Sequence, residues 1–253
     1  MNAPITRVVA LGASNLTRGL ETVVSTARTA WGPEVEVLGA LGHGRSYGVE
    51  SRVVIWTLPG ILQSGLWDTL SSMPPAATRG LVTDVGNDIL YGFPPPIVLE
   101  WVEEAVDRLH RITDDIVVTG LPLHTIRNLS APAFIMFRSI FAPTCRLSFV
   151  EVVDRAEQVN EGLVSIASSR KLQFVRMQPK WYGVDPIHIR PGWWHPAWQC
   201  ILGQEASVRG DSVWLEGLNL YFMPPERQWL FGLERTSPQT GYTLPHGGKV
   251  WLF

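Results

Sequence analysis

Ser14, Asp185 and His188 are the residues whose types and spacing best suit a chemical reaction. Ser14 stands in Gly12-Ala13-Ser14-Asn15, after an apolar run over 8–11. That run has the length and β-branched content of a buried strand, and a helix is expected to begin at the serine. A hydroxyl at such a turn stands clear of the backbone, beside the positive end of the helix. His188 closes Asp185-Pro186-Ile187-His188, with a carboxylate three residues ahead and Pro186 stiffening the turn. Acyl-ester cleavage needs this set: a nucleophile, a base to take its proton, and a group to fix the tautomer of the base. It also needs donors for the oxyanion. Asn87, in Gly86-Asn87-Asp88, offers a side-chain amide. Backbone N–H groups of Ser14 and of the glycine-rich loop 39–48 offer the others.

Each stretch has a plainer explanation. Serine is a favoured helix N-cap, Asp-Pro opens turns, and Gly-Asn-Asp can do no more than cap a helix. The glycine loop can be an ordinary sharp connection. Taken singly, each stretch is accounted for in this way. Their coincidence in one order, at successive strand ends, is much less expected by chance.

The elements that must position these residues alternate. Strands are expected at 8–11, 35–38, near 80–85, at 115–121 and at 172–177. Helices are expected at 16–30, 97–111, 149–170 and 194–208, the second with Leu99, Val102, Val106 and Leu109 on one face. This alternation predicts an α/β fold with a parallel sheet covered on both faces, its functional groups at the carboxyl ends of the strands. The apolar segment 130–146 is expected to be irregular, as a lid or as packed core. After 208 the chain changes character, with strands expected at 212–223, 227–236 and 249–253. The domain reading is therefore 1–208 as an α/β unit, which the resemblance given below makes a hydrolase domain, and 209–253 as a β-rich appendage packed on it. The appendage carries Trp214, Tyr221, Phe222 and Trp229, and is expected to cover the cleft or to form the interface of a homo-oligomer.

Composition narrows the function. Hydrophobic residues make up 45% and charged residues 17% of the 253, enough for a sizeable core. A net charge of −2 with no long run of one sign gives nucleic acid no footprint. Two cysteines, Cys145 and Cys200, suggest neither a disulfide framework nor a zinc site. No metal or other cofactor is expected. No run of about 18 apolar residues suggests a membrane span. The N-terminal stretch lacks the pattern of a signal peptide, and a soluble, cytoplasmic protein is expected.

The four stretches together resemble the sequence blocks of the SGNH hydrolases, also called the GDSL esterase/lipase superfamily. Gly12-Ala13-Ser14-Asn15 is similar to the first block, with Ala13 where aspartate is usual. Gly44 best matches the glycine of the second block, with Gly42 its near competitor. Gly86-Asn87-Asp88 is similar to the third block and Asp185-Pro186-Ile187-His188 to the last. The resemblance spans about residues 7–208. It implies a flavodoxin-like three-layer sandwich with a five-stranded parallel sheet, and a metal-independent hydrolase acting on a small-molecule ester. Ser14 would be the nucleophile, His188 the base and Asp185 its support, with Ser14, Gly44 and Asn87 forming the oxyanion hole.

Further residues are weaker candidates. His43, Arg45, Tyr47 and Tyr91 neighbour the blocks, and His43, Arg45, Tyr91 and Trp193 are taken as candidate substrate contacts. Trp194 is a second candidate for shaping a pocket. His195 rivals His188 as base but lacks the aspartate three residues earlier. His110, His124 and His246 show no ligand spacing. The leading reading is a serine esterase acting on a carboxylic ester or thioester. An O-acyltransferase would use the same residues. A non-catalytic binding protein is disfavoured by the presence of Ser14, Asn87 and His188. A nucleotide-binding module is disfavoured because the first loop lacks a phosphate-binding pattern.

Overall fold

A computed structural model describes residues 6–204, 214–245 and 247–253. The chain begins with β1 (Arg7–Leu11), α1 (Ser14–Trp31) and β2 (Glu36–Ala40), followed by a hairpin of β3 (Ser51–Val53) and β4 (Trp56–Leu58). Next come α2 (Leu66–Ser72), β5 (Thr78–Val82), α3 (Asn87–Leu90), α4 (Pro95–His110) and β6 (Ile116–Thr119). Helices α5 (Leu123–Arg127), α6 (Ala131–Phe141) and α7 (Phe149–Ser169) lead into β7 (Gln173–Val175) and α8 (Trp194–Ile201). The last described elements are α9 (Trp214–Phe222), β8 (Arg227–Leu230), β9 (Leu233–Thr236), β10 (Tyr242–Thr243) and β11 (Lys249–Leu252).

The main sheet has the order β10-β11-β2-β1-β5-β6-β7, and every neighbouring pair except β10 with β11 is parallel. Counted in chain order, its central five strands run 2-1-3-4-5, the flavodoxin-like arrangement. Alternate side chains of the strands feed two cores. Val9, Leu11, Leu38, Val82 and Val118 face α4 and α7. Val8, Ala10, Val37, Leu81 and Val117 face α1 and α8. A sheet buried on both faces explains why its strands read as unbroken apolar runs.

The expected five-stranded parallel sheet is present, and the C-terminal segment extends it to seven strands. β11 pairs with β2 from Lys249↔Glu36 to Leu252↔Gly39 and with β10 on its other side, which makes the last residues an integral strand of the sheet with β10 at its edge. β8 and β9 join β4 and β3 in a separate antiparallel sheet.

Two local expectations are corrected. The strand expected at 212–223 is helical over Trp214–Phe222, while residues 212–213 and the 208/209 boundary lie outside the described residues. Its inward positions, Glu216 and Leu220, lie one helical turn apart, and Glu216 pairs with Arg28 of α1 at 2.7 Å. A buried charge at one of the two anchor positions hid the helical period. The segment expected to be irregular holds α6, capped by Ser130, whose side chain accepts from the Ala133 N–H, with Pro132 in its first turn. Proline tolerates the first turn of a helix because no intrahelical donor is lost there.

Candidate active site

Ser14 is placed by a tight turn. β1 ends at Leu11, and α1 opens at Ser14. Between them Gly12 passes so close to β5 that a Cβ there would lie 2.3 Å from Thr83 Oγ1. β1 and β5 are the adjacent strands from which the sheet grows in opposite directions. Residues that follow them therefore face each other across the crevice where flavodoxin-like folds bind ligands.

His188 arrives from the far side, on the loop after β7. Its Nε2 lies 2.9 Å from Ser14 Oγ, and its Nδ1 lies 2.7 Å from Asp185 Oδ2. The other carboxylate oxygen of Asp185 accepts the N–H groups of Ile187 and His188, both at 3.2 Å. Burial pushes the Asp185 carboxyl up. The His188 ring and these N–H groups outweigh it and hold the group below its ordinary range. His188 is 5% exposed, so the imidazole lies largely out of water. The serine hydroxyl can thus pass its proton to Nε2 while the carboxylate fixes the tautomer and balances an imidazolium.

Donors suited to an oxyanion flank this chain. Gly44 has φ +62°, and a Cβ there would lie 2.5 Å from Val53 Cγ2 and 2.9 Å from Tyr91 Oη. Gly42, the competing glycine, is buried, and a Cβ there would lie 2.1 Å from Leu58 Cδ1. The N–H groups of Ser14 and Gly44 have no hydrogen-bond partner among the described residues. Asn87 opens α3 and donates through Nδ2 to the Arg45 carbonyl at 3.3 Å. Asp88 beside it accepts the Tyr47 N–H at 3.0 Å and so joins the glycine loop to α3.

A cavity of about 120 Å³ opens beside Ser14 and Asn87. Its walls are mostly apolar, with Ile89, Leu121, Ile126 and Ala156 at its sides and Phe134 and Phe137 of α6 among its lining.

The weaker candidates separate. Arg45 is fully buried and donates to the carbonyls of Leu41, Pro59 and Phe253, so the expected substrate contact is corrected to a support for the loop. Tyr47 is buried as well, its hydroxyl donating to the Thr83 carbonyl at 2.7 Å. Tyr91 donates to the Gly44 carbonyl, and its hydroxyl pKa is pushed up to about 12 by burial and then by Asp88. His43 Nε2 lies 3.1 Å from the Tyr221 hydroxyl of α9. Burial, then the charges of Arg18 and His188, lower the His43 pKa. Trp193 packs under Lys180, 5.3 Å from ring centroid to Nζ, and Trp194 donates to the Ile189 carbonyl at 3.0 Å. His195 sits in α8, and no contact joins it to Ser14 among the described residues. His246 lies outside the described residues.

Two solved structures share this architecture. The native aryl esterase of M. smegmatis superposes with a TM-score of 0.50 at 14% identity, over 79% of this chain and 100% of that one. A member of the lipolytic protein G-D-S-L family from Veillonella parvula gives 0.50 at 12% identity, over 80% and 99%. The fold is that of the SGNH hydrolases. In this SGNH frame the four sequence blocks fall after β1, β2, β5 and β7, and so at the carboxyl ends of parallel strands. No family model matches the chain, and the comparison with curated proteins found no match.

Among the described residues no His, Cys, Asp and Glu group is placed to hold a metal ion, and no helix is long and apolar enough to cross a membrane. Sequence reasoning left two residues of the site without a role. Asn15 lay inside the first block with no chemistry to mark it. Asp84, on the loop after β5, carried no signal at all, because its partners lie about seventy residues away.

Proposed function

We propose that this chain is a serine hydrolase of the SGNH superfamily that cleaves carboxylic esters or thioesters through an acyl-enzyme on Ser14. The observation that carries the reading is the continuous contact from Ser14 Oγ to His188 Nε2 at 2.9 Å and from His188 Nδ1 to Asp185 at 2.7 Å. Ser14 Oγ attacks the carbonyl carbon as His188 Nε2 takes its proton, and Asp185 balances the imidazolium. The oxyanion is met by the N–H groups of Ser14 and Gly44 and by the Asn87 amide. The carbon–oxygen or carbon–sulfur bond to the leaving group then breaks, and His188 returns its proton to that atom. Water, deprotonated by the same imidazole, attacks the acyl-serine; its hydrogens end on the acid and, by way of His188, on Ser14.

The cavity supports an apolar acyl group. Its lining includes Ser14 and Asn87 but neither Gly44 nor His188. The oxyanion and the leaving atom have to meet Gly44 and His188, so the acyl chain is the substituent left to enter the cavity. Its volume is somewhat below that of an engineered core cavity of about 150 Å³ that binds benzene, which favours short acyl chains.

Covalent labelling with a fluorophosphonate tests the nucleophile directly. A phosphonyl adduct on the peptide containing Ser14, absent from Ser14→Ala and from His188→Ala, is the expected result. An adduct on another serine, or none in the wild type, would overturn the assignment.

A further inference from the structure

The first turn of α1 is capped from an unusual place. Its N-cap residue is Ala13, which has no side-chain acceptor for the free N–H groups of a helix start. The acceptor comes instead from Asp84, on the loop after β5. Asp84 Oδ2 accepts the N–H of Ala13 at 2.9 Å and that of Leu16 at 3.1 Å, so it grips the chain on both sides of Ser14. To reach there Asp84 adopts a left-handed backbone, φ +57°. Aspartate bears this conformation better than most residues, and strained backbone of this kind gathers at functional sites.

The other oxygen of Asp84 continues the grip. Oδ1 accepts Asn15 Nδ2 at 2.8 Å, and the same Nδ2 donates to the Ile187 carbonyl at 2.9 Å. Asn15 Oδ1 accepts the N–H of Ile189 at 2.8 Å. The carboxamide therefore holds the backbone immediately before and immediately after His188. Asn15 is 8% exposed, so water competes little for these bonds. One carboxylate and one amide thus bracket the serine and the histidine, which are 174 residues apart in the chain.

We infer that Asp84 and Asn15 form a two-residue clamp that sets the Ser14–His188 approach, as positioning residues for the reaction proposed above, on which this inference rests. Neither side chain is assigned a bond to a reacting atom. The amide is suited to its place because it donates towards two oxygens and accepts from one N–H. Asp84 in turn meets donors only, two of them backbone N–H groups at a helix start, where a negative charge is favoured. Leucine at 15 fills similar space and makes none of these bonds. Asparagine at 84 turns an NH₂ group towards at least one of three donors.

Asn15→Leu and Asp84→Asn test the clamp, with Ser14→Ala and wild type alongside on p-nitrophenyl butyrate. A displaced base slows chemistry more than binding, and a misplacement of about 1 Å can cost on the order of 10²-fold. The expected result is a fall of about that size in kcat for both variants, with KM within about threefold and circular dichroism unchanged. Retained kcat in a folded Asn15→Leu variant would overturn the clamp. Loss of structure in Asp84→Asn leaves Asn15→Leu to decide.

A second measurement does not depend on turnover. The His188 Nδ1 proton, bonded to Asp185, is expected as a slowly exchanging downfield proton resonance in wild type and in Ser14→Ala. It is expected to broaden into solvent exchange in Asn15→Leu, and an unchanged resonance would overturn the clamp even if the protein hydrolyses no ester. Equal activity of Ser14→Ala and wild type would instead sink the serine-hydrolase reading and leave this resonance to judge the clamp.

Discussion

The guanidinium of Arg45 donates to the main-chain carbonyl of Phe253, the residue that follows β11. The same side chain reaches Leu41 and Pro59, each at 3.0 Å, and burial lowers its pKa to about 9. Phe253 in turn donates its N–H to the Gly39 carbonyl at 2.9 Å. The loop that carries Gly44 is therefore fastened to the end of β11, a strand that the C-terminal segment adds to the sheet. Arg45→Met leaves three buried carbonyls without their donor, at about 1–3 kcal/mol each before relaxation. A marked fall in Tm is expected by scanning calorimetry, and an unchanged Tm would show that the guanidinium contributes nothing to the loop.

Asp185→Asn keeps the shape of the loop and removes the charge that steadies His188. Partial burial pushes the carboxyl up, and the His188 ring and two N–H groups outweigh it and hold the group below its ordinary range. Replacing a triad aspartate in this way costs up to about 10⁴-fold in kcat. Steady-state kinetics at neutral pH are expected to show a loss approaching that size with a smaller change in KM. A loss under about tenfold would place Asp185 outside the reaction.

On the proposed reading, the cavity sets a chain-length preference. p-Nitrophenyl butyrate and hexanoate are expected to exceed the dodecanoate in kcat/KM. Ala156 is 2% exposed and lines the cavity from α7, so Ala156→Phe fills it at a cost of about 1–3 kcal/mol in packing. Hexanoate hydrolysis should then fall at least about tenfold relative to acetate, the scale on which apolar pockets discriminate. A parallel loss on both esters would mean that the acyl group lies elsewhere.

Asp88 gives stability a signature in pH. Burial raises its carboxyl from 3.8 to about 6, against the pull of the Ser46 hydroxyl and the Tyr47 N–H. The folded state thus holds this proton more tightly than the unfolded chain. The stability linked to Asp88 is full below about pH 4, declines between about pH 4 and 6, and is flat above. Urea midpoints of wild type and Asp88→Asn, compared across pH 4 to 7, should diverge over that interval and run parallel above it. Parallel curves throughout would contradict the burial of an ionisable group at this position.

What the sequence made legible follows from how local each signal is. The central strands, α1, α4 and α7 were readable because apolar runs and a 3.6-residue period are local properties. Ser14, Asp185, His188 and Asn87 could be singled out as candidates because each sits in a short block that follows a strand, and the first three meet in the structure. Helix α9 was not, since a charged anchor, Glu216, replaces an apolar one and makes sense only beside Arg28. The place of β11 depends on pairing with β2 across some two hundred residues. Arg45 was misjudged because a cation in a glycine loop looks like a ligand contact, and nothing local reveals the carbonyls that surround it. Asp84 and Asn15 join three distant loops, and only their three-dimensional meeting gives them a role.

The most direct test is hydrolysis of p-nitrophenyl butyrate by wild type, Ser14→Ala and His188→Ala at neutral pH, with circular dichroism to show that all three are folded. Clear turnover by wild type is expected, with kcat lower by at least about 10³-fold in both variants, as for removal of a nucleophile or its base. Turnover by folded Ser14→Ala equal to that of wild type would contradict the role of Ser14 as nucleophile.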